Sequence, residues 1–123
     1  MSIDLASFLL ELLQIGHPFQ VERVDRDEND AVHIYLAVDK EHRPDRFSTI
    51  HSYSEKVWRH LNIMQYECYI HCRIPMWQDK RTDKCSLMSV PWARPSSGFT
   101  LLMEGAILED LRRYACKKTV AEH

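Results

Sequence analysis

The first fifteen residues carry the spacing of an amphipathic helix. Apolar side chains recur every three or four positions, which places them on one helical face. They are Leu5, Phe8, Leu9, Leu12 and Leu13. Ser2 is a suitable N-cap, Gly16 is a suitable C′ residue, and Pro18 prevents the helix from continuing. We therefore predict a helix over residues 3–15.

The middle of the chain alternates between apolar and polar residues, as strands with one buried face do. The alternation runs over residues 19–24, 32–38, 56–61, 65–76 and 85–90. In the longest strand the apolar positions are Tyr66, Cys68, Ile70, Cys72, Ile74 and Met76. Residues 25–30 and 78–84 are predicted turns, and residues 39–55 a loop. The pattern predicts an antiparallel sheet of about five strands.

A second helix is predicted near the C-terminus. Pro91 and Pro95 force extended backbone on their neighbours, and Ser96, Ser97 or Thr100 can cap the helix that follows. Its apolar positions are Phe99, Leu102, Met103, Ala106, Ile107, Leu111 and Tyr114. We expect this stripe to pack the helix against the sheet. Together these elements predict a single α+β domain over residues 1–123.

The overall charge gives no reason to expect binding to phosphate backbones, but its distribution is uneven. The chain of 123 residues has a net charge of −2. Residues 1–55 carry 11 acidic and 5 basic side chains, whereas residues 56–123 carry 7 acidic and 11 basic ones. The basic C-terminal half is compatible with a nucleic-acid or acidic partner, although such a charge is also usual for a solvated surface.

The sequence favours a cytoplasmic protein that contacts no membrane. No apolar run is long enough to span a bilayer, and the N-terminus lacks the basic region of a signal peptide. The four cysteines do not form a dense disulfide framework. Without an export signal, we expect them to be reduced thiols.

The cysteines and histidines lack the spacing of a metal site or a catalytic pair. Cys68 and Cys72 lie four residues apart on a predicted strand, which separates them by about 13 Å. They cannot bind one ion, so we interpret them as core residues. No nucleophile elbow or cysteine-enzyme signature is present. We expect no metal, no cofactor and no enzymatic activity.

Aromatic and basic residues are interleaved in the second half of the chain. Such residues can stack on bases and contact phosphates. They are Trp58, Arg59, His60, Tyr69, His71, Arg73, Trp77, Trp92 and Arg94. Trp58 and Trp92 also suit a role in holding the sheet against the C-terminal helix, whereas the arginines are better candidates for surface contacts.

Two segments resemble a known protein family. The first is Trp58-Arg59-His60-Leu61-Asn62 with the strand over residues 65–75. The second spans residues 90–104 and contains a Pro-Trp-Ala-Arg-Pro turn followed by Phe-Thr-Leu-Leu. Both resemble the amino-terminal zinc-ribbon region of ISL-three family insertion-sequence transposases. The resemblance is close over residues 56–118 and looser over residues 1–55.

Members of that family continue into a helix-turn-helix and a ribonuclease H-like catalytic domain. At the positions of their zinc-binding knuckles this chain has Arg-Pro-Asp-Arg over residues 43–46 and Asp-Lys-Arg-Thr-Asp over residues 79–83. Guanidinium groups cannot donate a lone pair to zinc. The resemblance therefore implies a metal-free, ribbon-like sheet. Because residues 118–123 correspond to the start of the helix-turn-helix, it also implies a chain without transposase activity.

We therefore expect a non-catalytic binding module of transposase descent that contacts nucleic acid or a nucleic-acid-binding protein complex. The residues expected to make contact are Arg43, Arg46, Arg59, Arg73, Arg81 and Arg94. Two alternatives stay open: a protein–protein regulator or inhibitor from a mobile element, such as an anti-CRISPR protein, or a degenerate remnant. The regulator would meet a basic nucleic-acid channel through Asp25, Asp27, Glu28 and Asp30. A homodimer formed through exposed edge strands is also open.

Overall fold

A five-stranded sheet and a C-terminal helix make up the fold. The computed structural model describes residues 10, 11 and 14–121, and it describes no side chains from residue 117 onward. The elements are β1 Phe19–Arg26, β2 Val32–Val38, β3 Ser48–Ile63, β4 Tyr66–Asp79, β5 Cys85–Leu87 and helix α1 Leu101–Ala121. The predicted α+β class, the five strands and the C-terminal helix are therefore confirmed.

The sheet is mixed, whereas the sequence predicted an antiparallel one. Its order is β1-β2-β4-β3, and β5 pairs with β4 beyond the end of β2. Strands β2 and β4 are parallel, and every other pairing is antiparallel. Strand β4 lies inside the sheet because its alternate residues are apolar and need neighbours on both sides. Strand β3 carries Ser52, Ser54 and Lys56 opposite the apolar residues of β4. Polar and charged residues of this kind are suited to a strand at the edge of a sheet.

The core covers one face of the sheet. Ile34, Ile70 and Trp58 lie side by side across β2, β4 and β3, and they are 0%, 1% and 4% exposed. Trp92 crosses this face and packs edge-on against Trp58 and Phe19, with ring centroids 5.3 and 4.7 Å apart. Burial of these large side chains supplies most of the driving force for folding.

A β-bulge in β1 changes which of its side chains face the core. The register shifts between Val21 and Arg23, so that Arg23 lies opposite Tyr35 and Val24 opposite Ile34. Strict alternation from Phe19 and Val21 would place Arg23 on the core side. The extra residue of the bulge moves Arg23 to the solvent-facing side of the sheet.

The predicted N-terminal helix falls largely outside the described residues, which lack residues 3–9, 12 and 13. Leu10 and Glu11 have helical backbone. The amide of Ile15 donates to the Leu10 carbonyl at 2.8 Å and that of Gln14 to the Glu11 carbonyl at 3.0 Å. With a φ of 59° at Gln14, these bonds form a Schellman motif. Gln14 and not Gly16 is therefore the C′ residue.

Strand β3 begins at Ser48, inside the segment that the sequence predicted to be a loop over residues 39–55. Residues 48–55 are mostly polar. An edge strand with an accessible outer side has little need for apolar alternation, so periodicity could not detect its first half.

Helix α1 is capped by Thr100, one of the predicted caps, but much of its predicted apolar stripe is exposed and does not pack on the sheet. Thr100 accepts a hydrogen bond from the Met103 amide at 3.2 Å, as an N-cap does. Leu102, Leu111 and Tyr114 of this stripe are 47%, 58% and 67% exposed. The Leu101 amide donates to the Trp92 carbonyl at 2.7 Å. This bond fixes where the helix begins, and only its first turns reach β3.

The four cysteines should differ sharply in reactivity. Cys68 and Cys72 are buried, and burial raises the pKa of their thiols to about 11 and about 12, whereas Cys85 and Cys116 are exposed. We expect iodoacetamide at neutral pH to modify Cys85 and Cys116 in the native protein and all four only after unfolding, because the thiolate is the reactive form. Mass spectrometry of the modified peptides measures this, and modification of Cys72 in native protein would contradict the described core.

Candidate functional site

Three of the predicted arginines converge at one end of the sheet. The guanidinium carbon of Arg81 lies 3.9 Å from the ring centroid of Phe47, and that of Arg46 lies 4.8 Å from the same ring. Arg43 lies 5.9 Å from the ring of Trp77. We call these five residues the basic end. They combine cations with aromatic rings, which is the composition of surfaces that bind single-stranded nucleic acid.

Two loops, one before β3 and one after β4, build the basic end. The amide of Lys80 donates to the Phe47 carbonyl at 2.8 Å, which joins the loops. Asp45 shapes the first loop by accepting from the Phe47 amide at 2.8 Å. Asp79 shapes the second in the same way, by accepting from the Arg81 amide at 2.7 Å. In these Asx-turns an aspartate side chain accepts a hydrogen bond from the backbone amide two residues later. Such turns hold the loop in a defined conformation.

The basic end retains unneutralised positive charge. The side chain of Arg81 hydrogen-bonds to Asp79, which lowers the pKa of that carboxyl to about 2. Arg43 instead donates to the carbonyls of Lys40 and His42, each at 2.7 Å. In the part of the chain described here, Arg46 forms no ion pair. Arg43 and Arg46 can therefore accept a phosphate without first losing a carboxylate partner.

A second group of functional side chains lies on the sheet face opposite the core. The strand register places them in two adjacent rows, which we call the open face. It comprises Arg23 and Asp25 of β1, His33 and Tyr35 of β2, Tyr69 and His71 of β4, and Val57 and Arg59 of β3. All four of its rings are half-buried and contact one another, so the face is ordered in advance of any binding.

Each tyrosine of the open face lies between an imidazole and a guanidinium group. Tyr35 stacks on His71 with centroids 4.3 Å apart, and Arg23 lies 4.0 Å from the Tyr35 ring on its other flank. Tyr69 stacks on His33 at 5.2 Å and has Arg59 at 5.4 Å. A base could stack on either tyrosine only by displacing one of these neighbours. The ring of Phe47 at the basic end is likewise covered, by Arg46 and Arg81, so the two surfaces differ in their free positive charge and not in the accessibility of their rings.

Arg59 and Arg73, both predicted contact residues, lie on this side of the sheet. Arg59 donates to the His60 carbonyl at 2.6 Å and to the side-chain oxygen of Asn62 at 2.7 Å. Arg73 lies 3.8 Å from Glu22 and over the ring of Tyr53. Arg59 therefore stabilises the β3–β4 hairpin, and the positive charge of Arg73 is partly neutralised by Glu22.

A chain of hydrogen bonds links a carboxylate and two imidazoles on the open face. His33 Nε2 lies 2.8 Å from Asp27 Oδ2, and His33 Nδ1 lies 2.7 Å from His71 Nε2. The hydrogen bond to His33 lowers the pKa of Asp27. Burial, followed by the nearby His33 and Arg23, lowers the pKa of His71. Only one proton can occupy the space between the two rings, so the bond is lost when both become doubly protonated.

Arg94 is a structural residue in this fold. Its guanidinium donates to both carboxylate oxygens of Glu104, at 2.8 and 3.1 Å. This hydrogen bond, with one from Ser97, lowers the pKa of Glu104. The pair joins the segment before α1 to the first turn of the helix. Arg94 lies apart from the basic end, so the six predicted arginines do not form one surface.

The acidic residues of the alternative interpretation are mostly paired within the protein. Asp25 lies 3.0 Å from Arg23, and Asp30 lies 2.9 Å from Arg26. Asp27 binds His33 and accepts from two turn amides. Among the described residues, Glu28 is the one member of this group without such a partner. Asp25, Asp27 and Asp30 therefore each have a basic or imidazole neighbour, although they remain 53%, 40% and 65% exposed.

Two residues of these surfaces were not identified from the sequence. The backbone carbonyl of Phe47 joins the two loops of the basic end. Its segment shows no regular alternation of apolar and polar residues, so the hydrophobic pattern did not point to it. Arg23 lies on the open face because of the bulge in β1, which the sequence pattern does not reveal. Interleaving of aromatic and basic residues, the signal applied to the second half of the chain, is also present in Arg46-Phe47.

The described residues bring together no group of three or more histidine, cysteine, aspartate or glutamate side chains that could hold a metal ion. Within the same residues, no helix has the length and apolar character needed to cross a membrane. Comparison of the chain with protein-family models, curated proteins and solved structures gave no match. The resemblance to a transposase region therefore stays a prediction.

Stability should fall as the pH is lowered below about 6.5, the ordinary pKa of histidine. The pKa of His71 is depressed in the folded state. The unfolded chain therefore binds more protons in this range, and the stabilisation present above pH 6.5 is lost as the pH falls. We expect His71→Asn to show a smaller fall in the free energy of unfolding between pH 7.5 and 5.5 than the unmodified protein.

The measurement is urea unfolding at both pH values. His51→Asn serves as the matched control, because His51 is exposed and, among the described residues, its ring hydrogen-bonds to the neighbouring Ser52 alone. An equal pH dependence in His71→Asn and the unmodified protein would contradict the described environment of His71.

Proposed function

We propose that the protein is a non-catalytic module that binds single-stranded nucleic acid through its basic end. The observation that carries this proposal is the convergence of Arg43, Arg46 and Arg81 around two aromatic rings. The guanidinium groups would contact phosphates, and the half-buried ring of Phe47 would offer apolar contact to a base, whereas Trp77 is buried and supports Arg43. Binding would be independent of sequence, since no part of this interaction reads base edges.

The resemblance found in the sequence supports the same surface. The two segments that align with the zinc-binding knuckles of ISL-three family transposases are residues 43–46 and 79–83. These segments lie side by side, joined by the hydrogen bond from Lys80 to Phe47. We infer that arginine–aromatic contacts replace a metal as the link between these loops, in a metal-free sheet of ribbon-like descent.

The inhibitor alternative receives less support. A protein that imitates nucleic acid needs accessible, unneutralised carboxylates. Asp25, Asp27 and Asp30 are accessible, but each already lies within 3.0 Å of a basic or imidazole side chain of the same chain. Contact with a nucleoprotein complex, in place of free nucleic acid, is compatible with the basic end, because such complexes also expose single-stranded phosphates.

The basic end predicts a salt-dependent interaction that two substitutions weaken. We expect the double variant Arg43→Ala, Arg46→Ala to bind a fluorescein-labelled oligo(dT) of about 20 nucleotides at least tenfold more weakly, because two phosphate contacts are lost. The slope of log affinity against log salt should also decrease in magnitude by about 1.4. Fluorescence anisotropy over a series of salt concentrations measures both quantities.

A matched variant separates this surface from overall charge. Arg112→Ala with Arg113→Ala removes the same charge from exposed positions of α1, where both arginines lie near Glu109. It should bind as the unmodified protein does. An equal loss of affinity in both double variants, or no salt-dependent binding of oligo(dT) by the unmodified protein, would refute the proposal.

A further inference from the structure

The outer edge of β3 presents free backbone groups. Between Ser52 and His60 the pairing with β4 is one-to-one, so every second residue of β3 points its amide and carbonyl in the same direction. The amide of Arg59 donates to the Gly98 carbonyl at 2.8 Å, and the Arg59 carbonyl accepts from Thr100 at 3.0 Å. The backbone groups of Arg59 therefore point away from β4.

Tyr53, Glu55 and Val57 share this outward orientation. An independent feature agrees: Tyr53 lies opposite Pro75, which has no amide hydrogen to donate to β3. Within the described residues, no backbone group outside the sheet ladder bonds to these three positions. Residues 98–100 already pair with β3 at Arg59, next to these three positions. The edge of β3 can therefore accept an added extended chain.

An apolar groove runs beside this free edge, on the core side of the sheet. Its volume is about 580 Å³, within the range of small-ligand pockets. Its lining includes Trp58, Leu87, Met88, Val90, Ala93 and Pro95. Lys56 also lines the groove, and its ammonium group forms no ion pair within the described part of the chain. The groove therefore offers apolar contacts and one unpaired positive charge.

We propose that β3 and this groove bind an extended peptide segment of a partner protein, which adds to the sheet as a further strand. The main chain of the peptide would bond to Tyr53, Glu55 and Val57, as in other strand-addition complexes. Its alternate side chains would enter the groove, with an acidic side chain opposite Lys56. The site is short, because the backbone of Gly98 already occupies the edge of β3 at Arg59.

Like charges disfavour two of the registers in which a second copy of this chain could add to β3. An antiparallel pair of β3 edges centred on Glu55 would place two Glu55 side chains directly opposite each other. Centring the pair on Lys56 would do the same for the two lysines. Like charges at directly opposite positions destabilise a sheet. A partner with an acidic residue flanked by apolar ones fits the site better.

The test uses a defined probe, the fluorescently labelled peptide acetyl-Thr-Val-Thr-Asp-Thr-Val-Thr-amide. Its valines and aspartate share one face, which matches the groove and Lys56. We expect the unmodified protein to bind it at least about tenfold more tightly than the analogue with lysine in place of aspartate, since charges at opposite strand positions interact directly. Lys56→Glu should reverse this preference. Fluorescence anisotropy measures both affinities.

Backbone recognition is tested separately from charge. Glu55→Pro removes an outward amide without removing a bond to β4, and Glu55→Ala removes the same carboxylate but keeps the amide. Only the proline variant should lose peptide binding. Two peptides N-methylated on alternate residues give the same test in the unmodified protein, because only one of them blocks the amides that face β3.

Several results would overturn the proposal. They are equal binding by Glu55→Pro and Glu55→Ala, equal binding of the two N-methylated peptides, and no saturable binding of either labelled peptide. If Glu55→Pro fails to fold, the N-methylated peptides decide. None of these outcomes depends on nucleic-acid binding at the basic end, so the two proposals succeed or fail separately.

Discussion

The pairing of β4 with strands on both sides is the interaction on which the rest of the structure depends. Cys68, Ile70, Cys72 and Ile74 are at most 2% exposed, and they alternate along a strand of 14 residues. Burying them requires neighbours on each side, which β2 and β5 provide on one and β3 on the other. Strand β4 is therefore an inner strand, parallel to β2 and antiparallel to β3, and β3 lies at the edge.

This arrangement gives the sheet three surfaces with different chemistry. The core side is apolar and closed by Trp92. The open face has its tyrosines held between imidazoles and guanidinium groups. The ends of the long β3–β4 hairpin bring two distant loops together, and the basic end forms there from Arg43, Phe47 and Arg81. Each surface depends on strand register, so a slip of one residue would remove all three.

The sequence predicted those features that local chemistry determines. Alternating apolar residues identified β2 and β4, and Thr100 was among the predicted caps of α1. Features that depend on the whole fold were missed. The polar first half of β3 has no periodic signal because its outer edge is open, and the exposed stripe of α1, with Leu111, resembles a buried one in sequence. No sequence signal distinguishes Arg46, which lies in one of the two paired loops, from Arg94, which the fold uses to hold Glu104.

Chemical-shift mapping tests the central functional claim most directly. The protein labelled with nitrogen-15 would be titrated with unlabelled oligo(dT), and the changes in its amide and indole signals followed. We predict that the largest changes occur at the amides of residues 43–47 and 79–82. Largest changes on α1 or along β1, or no changes at all at low salt, would contradict it.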